Sequence, residues 1–413
     1  MKRIPVTHAG SLIRPPELLA ATSDPGSGAY AAALRKAVAD IVRRQAVTGV
    51  DVVDDGEMGK SNWISYLYER TTGLEARPLT GDFTTILPAS RDRQHFPGAY
   101  AENDALEAAA ARKAASEAAR LGTGDNSKKR AFGASEVADW VCTGPLSYDR
   151  SAIDRDIANF RASLSDAGVA PGAGIVDAFL PVVAPASAYW LRNEYYNSDE
   201  EFVFALADVL HEEYQAITDA GLILQVDDAV LMHEADTMLS RGQSWDEYRA
   251  WAELRVDALN HALRGLPEDR IRYHVCFGSW HGPHAYDPPL KDSIDLVLKV
   301  NARYYLMEQA NPRHEHEWRI WETALLPDGK VLVPGVVTHH TNVVEHPELV
   351  AQRLVRLARL VGRENVMGGT DCGFAQGALV HRVHEEIQWA KLASIAKGAR
   401  LASRELWGAE AEA

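Results

Sequence analysis

Along most of this chain, short runs of β-branched and aromatic residues alternate with amphipathic helical runs, a rhythm that points to a parallel sheet built from βα units. One helix shows it plainly. Leu34, Val38, Ile41 and Val42 recur at i, i+4, i+7 and i+8, while Arg35, Arg43 and Arg44 take other faces and Gly49 ends the run before the strand-like Val50–Val53. Ser198-Asp-Glu-Glu201 carries a capping-box pattern that opens a helix running to Gly221, ahead of the strand Leu222–Val226. Pro347 and Gly362 bracket another helix. Candidate strands fall near residues 4–8, 50–54, 138–143, 177–184, 222–227, 271–277, 303–308, 331–337 and 365–370, one more than an eight-stranded barrel uses. The segment 177–184 is the one to drop, because Pro181 and Pro185 suit a loop or an edge better. The expected fold is therefore α/β, a TIM (β/α)8 barrel forming a single catalytic domain over residues 1–413. Residues 76–135 read as an insertion on the barrel, with a polar stretch and an Ala-rich helix near 104–121.

Composition narrows the partners. A formal charge of −15 repels nucleic acid and anionic membranes, and Lys128-Lys-Arg130 reads as a solvated loop. No apolar run approaches the ~20 residues of a membrane span. The start Met1–His8 runs into a strand instead of an export leader, and three cysteines make no disulfide framework. A reducing, cytoplasmic location is expected, with neither nucleic acid nor membrane as partner; homo-oligomerisation is left open.

Four residues carry the chemistry. His274 and Cys276, two apart in the strand-like Arg272–Phe277, project from one face. Glu308 closes the apolar run Tyr304–Met307, and Cys372 follows Asn365–Asp371, so every member sits at a strand end. Two thiolates, an imidazole and a carboxylate suit zinc better than magnesium or calcium. Their net negative charge favours a sulfur nucleophile, whereas hydrolases keep zinc electrophilic toward water with neutral histidines. A lone His-X-Cys is more often packing than a metal site. What argues otherwise is the company: Ser11, Asp55-Gly-Glu57 and Asp227-Asp228 also follow strands, and in a barrel such ends share one mouth. Cys142 has no ligand at useful spacing and reads as a buried strand residue. His281, His284, His314 and His316 share their segments with Arg313, Glu315 and Glu317, and read as a hydrogen-bonded loop network instead of a second metal site.

The blocks His8–Pro15, Asp55-Gly-Glu57, Thr143-Gly-Pro145, Gln225–Asp228, His274-Val-Cys276, Glu308, Pro334-Gly-Val336 and Asp371-Cys-Gly373 occur in this order across nearly the whole chain. Together they resemble the C-terminal catalytic barrel of cobalamin-independent methionine synthases. The resemblance implies a TIM barrel, zinc held by His274, Cys276, Glu308 and Cys372, and an amino-acid thiol gripped by Ser11, Glu57 and Asp227. It also places His340, next to His339, where the family has a histidine suited to proton donation, so that His340, Glu57 and Asp227 form the implied catalytic group. Asp228-Ala229 replaces the family's usual Glu-Pro, and the N-terminal half of the long synthases has no counterpart, which leaves the methyl donor open. Asp55–Lys60, His274–His284 and Ala310–Trp318 are similar to a single-barrel subgroup that includes epoxyalkane:coenzyme M transferase, which opens an epoxide with a zinc thiolate.

Charge separates the two chemistries. An ammonium group wants carboxylates, here Glu57 and Asp227; a sulfonate wants cations, for which Arg14 and Lys60 are the candidates. The expectation is a thiol alkyltransferase taking a small-molecule amino thiol and a methyl donor, with epoxide opening as the alternative. A non-catalytic zinc-storage protein would leave Ser11, Glu57 and Asp227 without purpose, and a metal-free decarboxylase would have no need of two thiolates.

Overall fold

The computed structural model describes residues 2–22, 24–77, 90–106, 139–166, 175–188 and 191–411. Seven parallel strands make one curled sheet. From neighbour to neighbour they are Val52–Val53, Asp177–Val183, Ile223–Asp228, Ile271–Val275, Tyr304–Met307, Val331–Val337 and Gly369–Thr370. Both edges meet the same N-terminal segment. Thr7 N donates to Gly368 O at 2.8 Å and Gly368 N to Pro5 O at 2.8 Å, while Asp51 N and Val52 N both donate to Val6 O, at 2.8 and 3.1 Å. The result is an α/β fold of TIM-like architecture.

Two strand assignments are corrected. Asp177–Val183 belongs to the curled sheet, whereas residues 139–148 leave it and pair with Thr71–Arg77 and Arg192–Asn193 in a separate three-stranded sheet. Pro181 is tolerated because Val52–Val53 reaches only Asp177 and Ala178, so beyond them one side of the strand has no ladder to break. Side chains cover that side instead: Lys60 Nζ donates to Pro181 O, and Val183 N donates to Tyr66 Oη at 3.1 Å. Cys142 is buried in the side sheet, as expected of a strand residue. Of the expected insertion, residues 78–89 and 107–138, including most of the Ala-rich helix, lie outside the described residues.

Apolar side chains sort into two layers. Ala9, Val52, Phe179, Ile223, Leu306, Val331, Val333 and Met367 pack together as a small cluster, and Arg272 lies fully buried against Phe179. A much larger cluster joins the sheet to the helices, among them Gly28–Thr48, which buries Leu34, Val38, Ile41 and Val42 and ends at Gly49 with φ 95°. Ser198 caps Asp199–Asp219 through Glu201 N at 3.0 Å, but the Glu201 carboxylate turns to Asn197 N, leaving the box half formed. The complete box is at Ser244 and Glu247. Pro347–Val361 begins and ends as its proline and glycine require.

A buried charge triad anchors the side sheet. Arg70 Nη1 meets Glu213 at 2.8 Å and Arg70 Nη2 meets Asp156 at 2.6 Å, joining the start of the Thr71–Arg77 strand to helices Asp199–Asp219 and Ser151–Asp166. Removing Arg70 leaves buried Glu213 uncompensated and Asp156 with only the more exposed Arg155, 3.2 Å away. Arg70→Met is expected to lower unfolding stability by about 3–5 kcal/mol in urea titrations, and a loss under about 1 kcal/mol would show that the triad is not structural.

Candidate active site

Parallel register brings the site together. Asp227 pairs with His274 and His274 with Leu306 across three adjacent strands, so Cys276 and Glu308, each two residues further on, rise to the same level. Cys372 follows the short strand Gly369–Thr370, whose neighbour is Val331–Val337. Gly335 allows the close approach there: a Cβ on it would lie 2.6 Å from the Asp371 backbone and 2.1 Å from Asp371 Oδ1. Asp371 Oδ1 in turn accepts Gln309 N and Ala310 N, both at 2.9 Å, which secures the turn after Glu308.

Three of the four candidate ligands adjoin, and the fourth stands beside them. Cys276 Sγ lies 3.6 Å from Cys372 Sγ and 3.7 Å from Glu308 Oε1, and His274 Nε2 lies 3.4 Å from the carbonyl of Asp371, the residue before Cys372. The cysteines are free, not bridged. Among the described residues no three or more His, Cys, Asp or Glu side chains form a ready-made metal cage. The sulfur–sulfur spacing nevertheless suits shared coordination, since zinc bonds of about 2.3 Å in a tetrahedron set two thiolates about 3.8 Å apart. The donor set thus fits zinc in kind and in the spacing of its sulfurs.

Neighbouring groups hold these donors in place. His274 Nδ1 bonds Asp227 Oδ1 at 2.8 Å, which fixes the ring, and Nε2 makes only a long contact of 3.4 Å to Asp371 O. Gly278 N donates to Cys276 Sγ at 3.2 Å and Ser279 Oγ to Cys372 Sγ at 3.1 Å; Glu308 accepts Phe277 N at 3.1 Å and Asn311 Nδ2 at 3.3 Å. Ser279, Asn311 and Asp371 stand inside the recognised motifs, but nothing in their spacing revealed these roles. His284 and His314 both bond Asp287 Oδ2, and His314 also bonds Glu317, so the expected loop network is present for these two.

Burial and mutual contact split the titrations. The Cys276 contact draws the Cys372 thiol well below its ordinary range; burial opposes this, and His274 adds to it. Cys276 moves well above, through Cys372, burial and Glu308. Burial alone would lower His274, but Asp227 and Cys372 push it up to about 10. A metal bound here would have to displace protons from Cys276 and His274.

The other candidates gather on the N-terminal side. Ser11 Oγ donates to Ala375 O and accepts Arg14 Nη1 at 2.8 Å. Arg14 also donates to the carbonyls of Leu12 and Glu57, at 3.1 and 2.7 Å. Lys60 covers the Tyr66 ring, bonds Pro181 O and stands 3.8 Å from Glu57 Oε2. Glu57 itself sits at φ 56°, a left-handed conformation rare outside glycine and frequent at functional sites. Burial lifts its pKa to about 7, with Lys60 opposing and Asp227 adding to the rise. On the C-terminal side, His340 is half-buried, its ring 6.2 Å from that of His281, and burial lowers its pKa to about 4. His339 is fully enclosed.

Residues 186–391 match the model of the cobalamin-independent synthase catalytic domain. The chain belongs to the cobalamin-independent methionine synthase family. The matched stretch contains Asp227, His274, Cys276, Glu308, His340 and Cys372, while Ser11, Arg14, Glu57 and Lys60 precede it. Methionine synthase of Thermococcus kodakarensis is 25% identical over 229 residues, covering 55% of this chain and 58% of that protein. That of Sulfurisphaera tokodaii is 27% identical over 222 residues, 53% of this chain and 54% of its own length. The chain thus spans little more than half the length of these relatives. In fold the likeness extends further. A B12-independent methionine synthase of Shewanella sp. W3-18-1, solved with selenomethionine, superposes with a TM-score of 0.68 over 98% of this chain and 99% of its own, at 19% identity.

The split titration has a chemical consequence in metal-free protein. Cys372 is expected to be alkylated by iodoacetamide at pH 6–7 at least about tenfold faster than Cys142, whose thiol burial raises. Peptide mass spectrometry reads both rates, and equal rates would contradict the assignment of the thiolate to Cys372.

Proposed function

We propose that this protein is a zinc-dependent thiol alkyltransferase that moves a methyl group to the sulfur of a homocysteine-like amino thiol. The observation that carries the reading is the adjacency of Cys276, Cys372 and Glu308, one step above the level where Asp227 braces His274. On this reading the Pro5–Thr7 segment is the eighth stave of a TIM barrel, and Ser11, Glu57 and the metal donors share its mouth. His274, Cys276, Glu308 and Cys372 would hold the ion, which when bound supplies the charge that keeps the acceptor thiol ionised near neutral pH.

The chain's own groups then select and orient. Glu57 and Asp227 present carboxylates to the acceptor's ammonium group. Asp227 Oδ1 is taken by Gln225 and His274, so Oδ2 is the oxygen open to a ligand. The terminal nitrogens of Arg14 are taken by Ser11 Oγ and three carbonyls, and Lys60 by a carbonyl and the Tyr66 face; among the described residues only the buried Arg14 Nε has no partner, which leaves a sulfonate little to bind in their place. His340 is neutral at pH 7 and half-exposed; it would take a proton from solvent and pass it to the leaving atom of the alkyl donor.

Asp227 has two duties here, so its loss should register twice. Glu57→Gln and Asp227→Asn should each weaken homocysteine by about 1.5–3 kcal/mol, and Asp227→Asn should also weaken zinc by about 10–100-fold in chelator competition. Normal handling of homocysteine by both variants, or far better turnover of coenzyme M by wild type, would overturn the amino-thiol reading and favour epoxide opening.

A further inference from the structure

Two buried histidines outside the donor set face oxygen acceptors with both ring nitrogens. His284 Nδ1 lies 2.9 Å from Asp287 Oδ2 and its Nε2 3.2 Å from Trp280 O; His314 Nδ1 lies 2.9 Å from Glu317 Oε2 and its Nε2 3.0 Å from Asp287 Oδ2. Carbonyl and carboxylate oxygens only accept, and a neutral imidazole has a single N–H to give. Making all four bonds therefore takes a proton on every ring nitrogen, and both rings become imidazolium ions. Burial opposes charge on both, but Asp287 outweighs it at His284, as Asp287 and Glu317 do at His314, which is raised to about 10. Burial alone would raise the Asp287 carboxyl too, yet its bonds to the two histidines hold it below the ordinary range. The other titratable neighbours do not compete. Glu308 favours the cations, burial keeps His233 and His340 neutral at pH 7, and Arg91 and Arg313 turn to the carbonyls of Tyr286 and Ala285.

This cluster stands directly behind two of the candidate ligands. Phe277, next to Cys276, stacks on the His314 ring at 3.7 Å and 17°, and its N–H is the one that Glu308 Oε1 accepts. Asn311, whose Nδ2 donates to Glu308 Oε2, takes His314 N on its own carbonyl at 2.8 Å. Three ties join the chain that follows Cys276 to the chain that follows Glu308: Asp287 to His314, Leu290 N to Glu317 Oε1 at 2.7 Å, and Arg313 Nη2 to Ala285 O at 2.6 Å. His284 is held at φ 52°, a left-handed conformation that persists only where the surroundings enforce it.

We propose that Asp287, with the two imidazolium ions it bridges, is a positioning residue for the zinc site, fastening the loop after Cys276 to the loop after Glu308 and so fixing how these two candidate ligands face each other. The proposal rests on the zinc reading and gives the histidine network a charge state and a duty. Two cations and two carboxylates balance, which lets the cluster lie in the interior without a net charge.

The test reads side-chain nitrogen shifts of full-length protein labelled with 15N-histidine, at about pH 8.5, where an unperturbed histidine is about 99% neutral. Zinc affinity is measured beside them by chelator competition. In wild type two histidines should show both nitrogens protonated, and His284→Gln and His314→Gln should each delete one of the two. Asp287→Asn keeps the shape and removes the charge, so it should turn both rings neutral and weaken zinc at least about fivefold, with circular dichroism unchanged. Glu317→Gln, which alters a partner of His314 alone, should neutralise that ring only and weaken zinc by a smaller factor. A neutral ring at either position in wild type, including one left by a proton on Glu317, would overturn the proposal. So would zinc affinity within about twofold of wild type in Asp287→Asn once both rings have lost their charge. If Asp287→Asn does not fold, Glu317→Gln decides in the same way. Wild type that retains no zinc would instead overturn the metal reading, and its spectra would still decide the charge of the cluster.

Discussion

Everything proposed for the site depends on the register of three parallel strands. With Asp227 opposite His274 and His274 opposite Leu306, one carboxylate braces one imidazole while Cys276 and Glu308 arrive together one step above. A slip of one residue would turn His274 and Cys276 to the helix side of the sheet and bury their polar atoms against apolar side chains. The register is secured from within by Arg272, which donates to Thr7 Oγ1 at 2.9 Å and His8 O at 2.8 Å while stacking on Phe179. That buried guanidinium ties the N-terminal segment to the strand that bears the first two candidate ligands. Ser11 and Arg14 follow directly from the segment so tied.

The site is built from groups that oppose one another electrostatically. Cys372, Glu308, Asp371 and Asp227 crowd one end of the sheet, and without a cation burial pushes Glu308 and Asp371 up, Asp371 to about 8. His274 and the short contact between the two sulfurs offset part of that repulsion. A divalent cation would offset far more of it, because Cys276 and His274 would exchange a proton, and Cys372 and Glu308 a repulsive neighbour, for a share of a fixed double charge. The crowding of unlike donors thus favours a metal on electrostatic grounds, independently of the family likeness.

Much of this was legible in the chain because it is local. His274 and Cys276 stand two apart on a strand, so one face was a matter of period, and Gly49 and Gly362 mark helix ends by their backbone freedom alone. What failed to show was set by partners distant in sequence. Pro181 argued against a strand until Val52–Val53 proved too short to pair beyond Ala178, and residues 139–148 read as a stave because a side sheet has the same period. Asp227 looked like a substrate carboxylate, and its hold on His274 depends on a register between strands 47 residues apart. The terminal nitrogens of Arg14 are held by Ser11 and Glu57, contacts that no spacing in the sequence announces.

The central claim is that His274, Cys276, Glu308 and Cys372 together hold one zinc ion, and metal content measures it most directly. After equilibration with zinc and dialysis against a weak chelator, wild type should retain one zinc per chain. Cys276→Ala and Cys372→Ala should each retain much less, with folding intact by circular dichroism. A full equivalent of tightly held zinc in both cysteine variants would contradict the account.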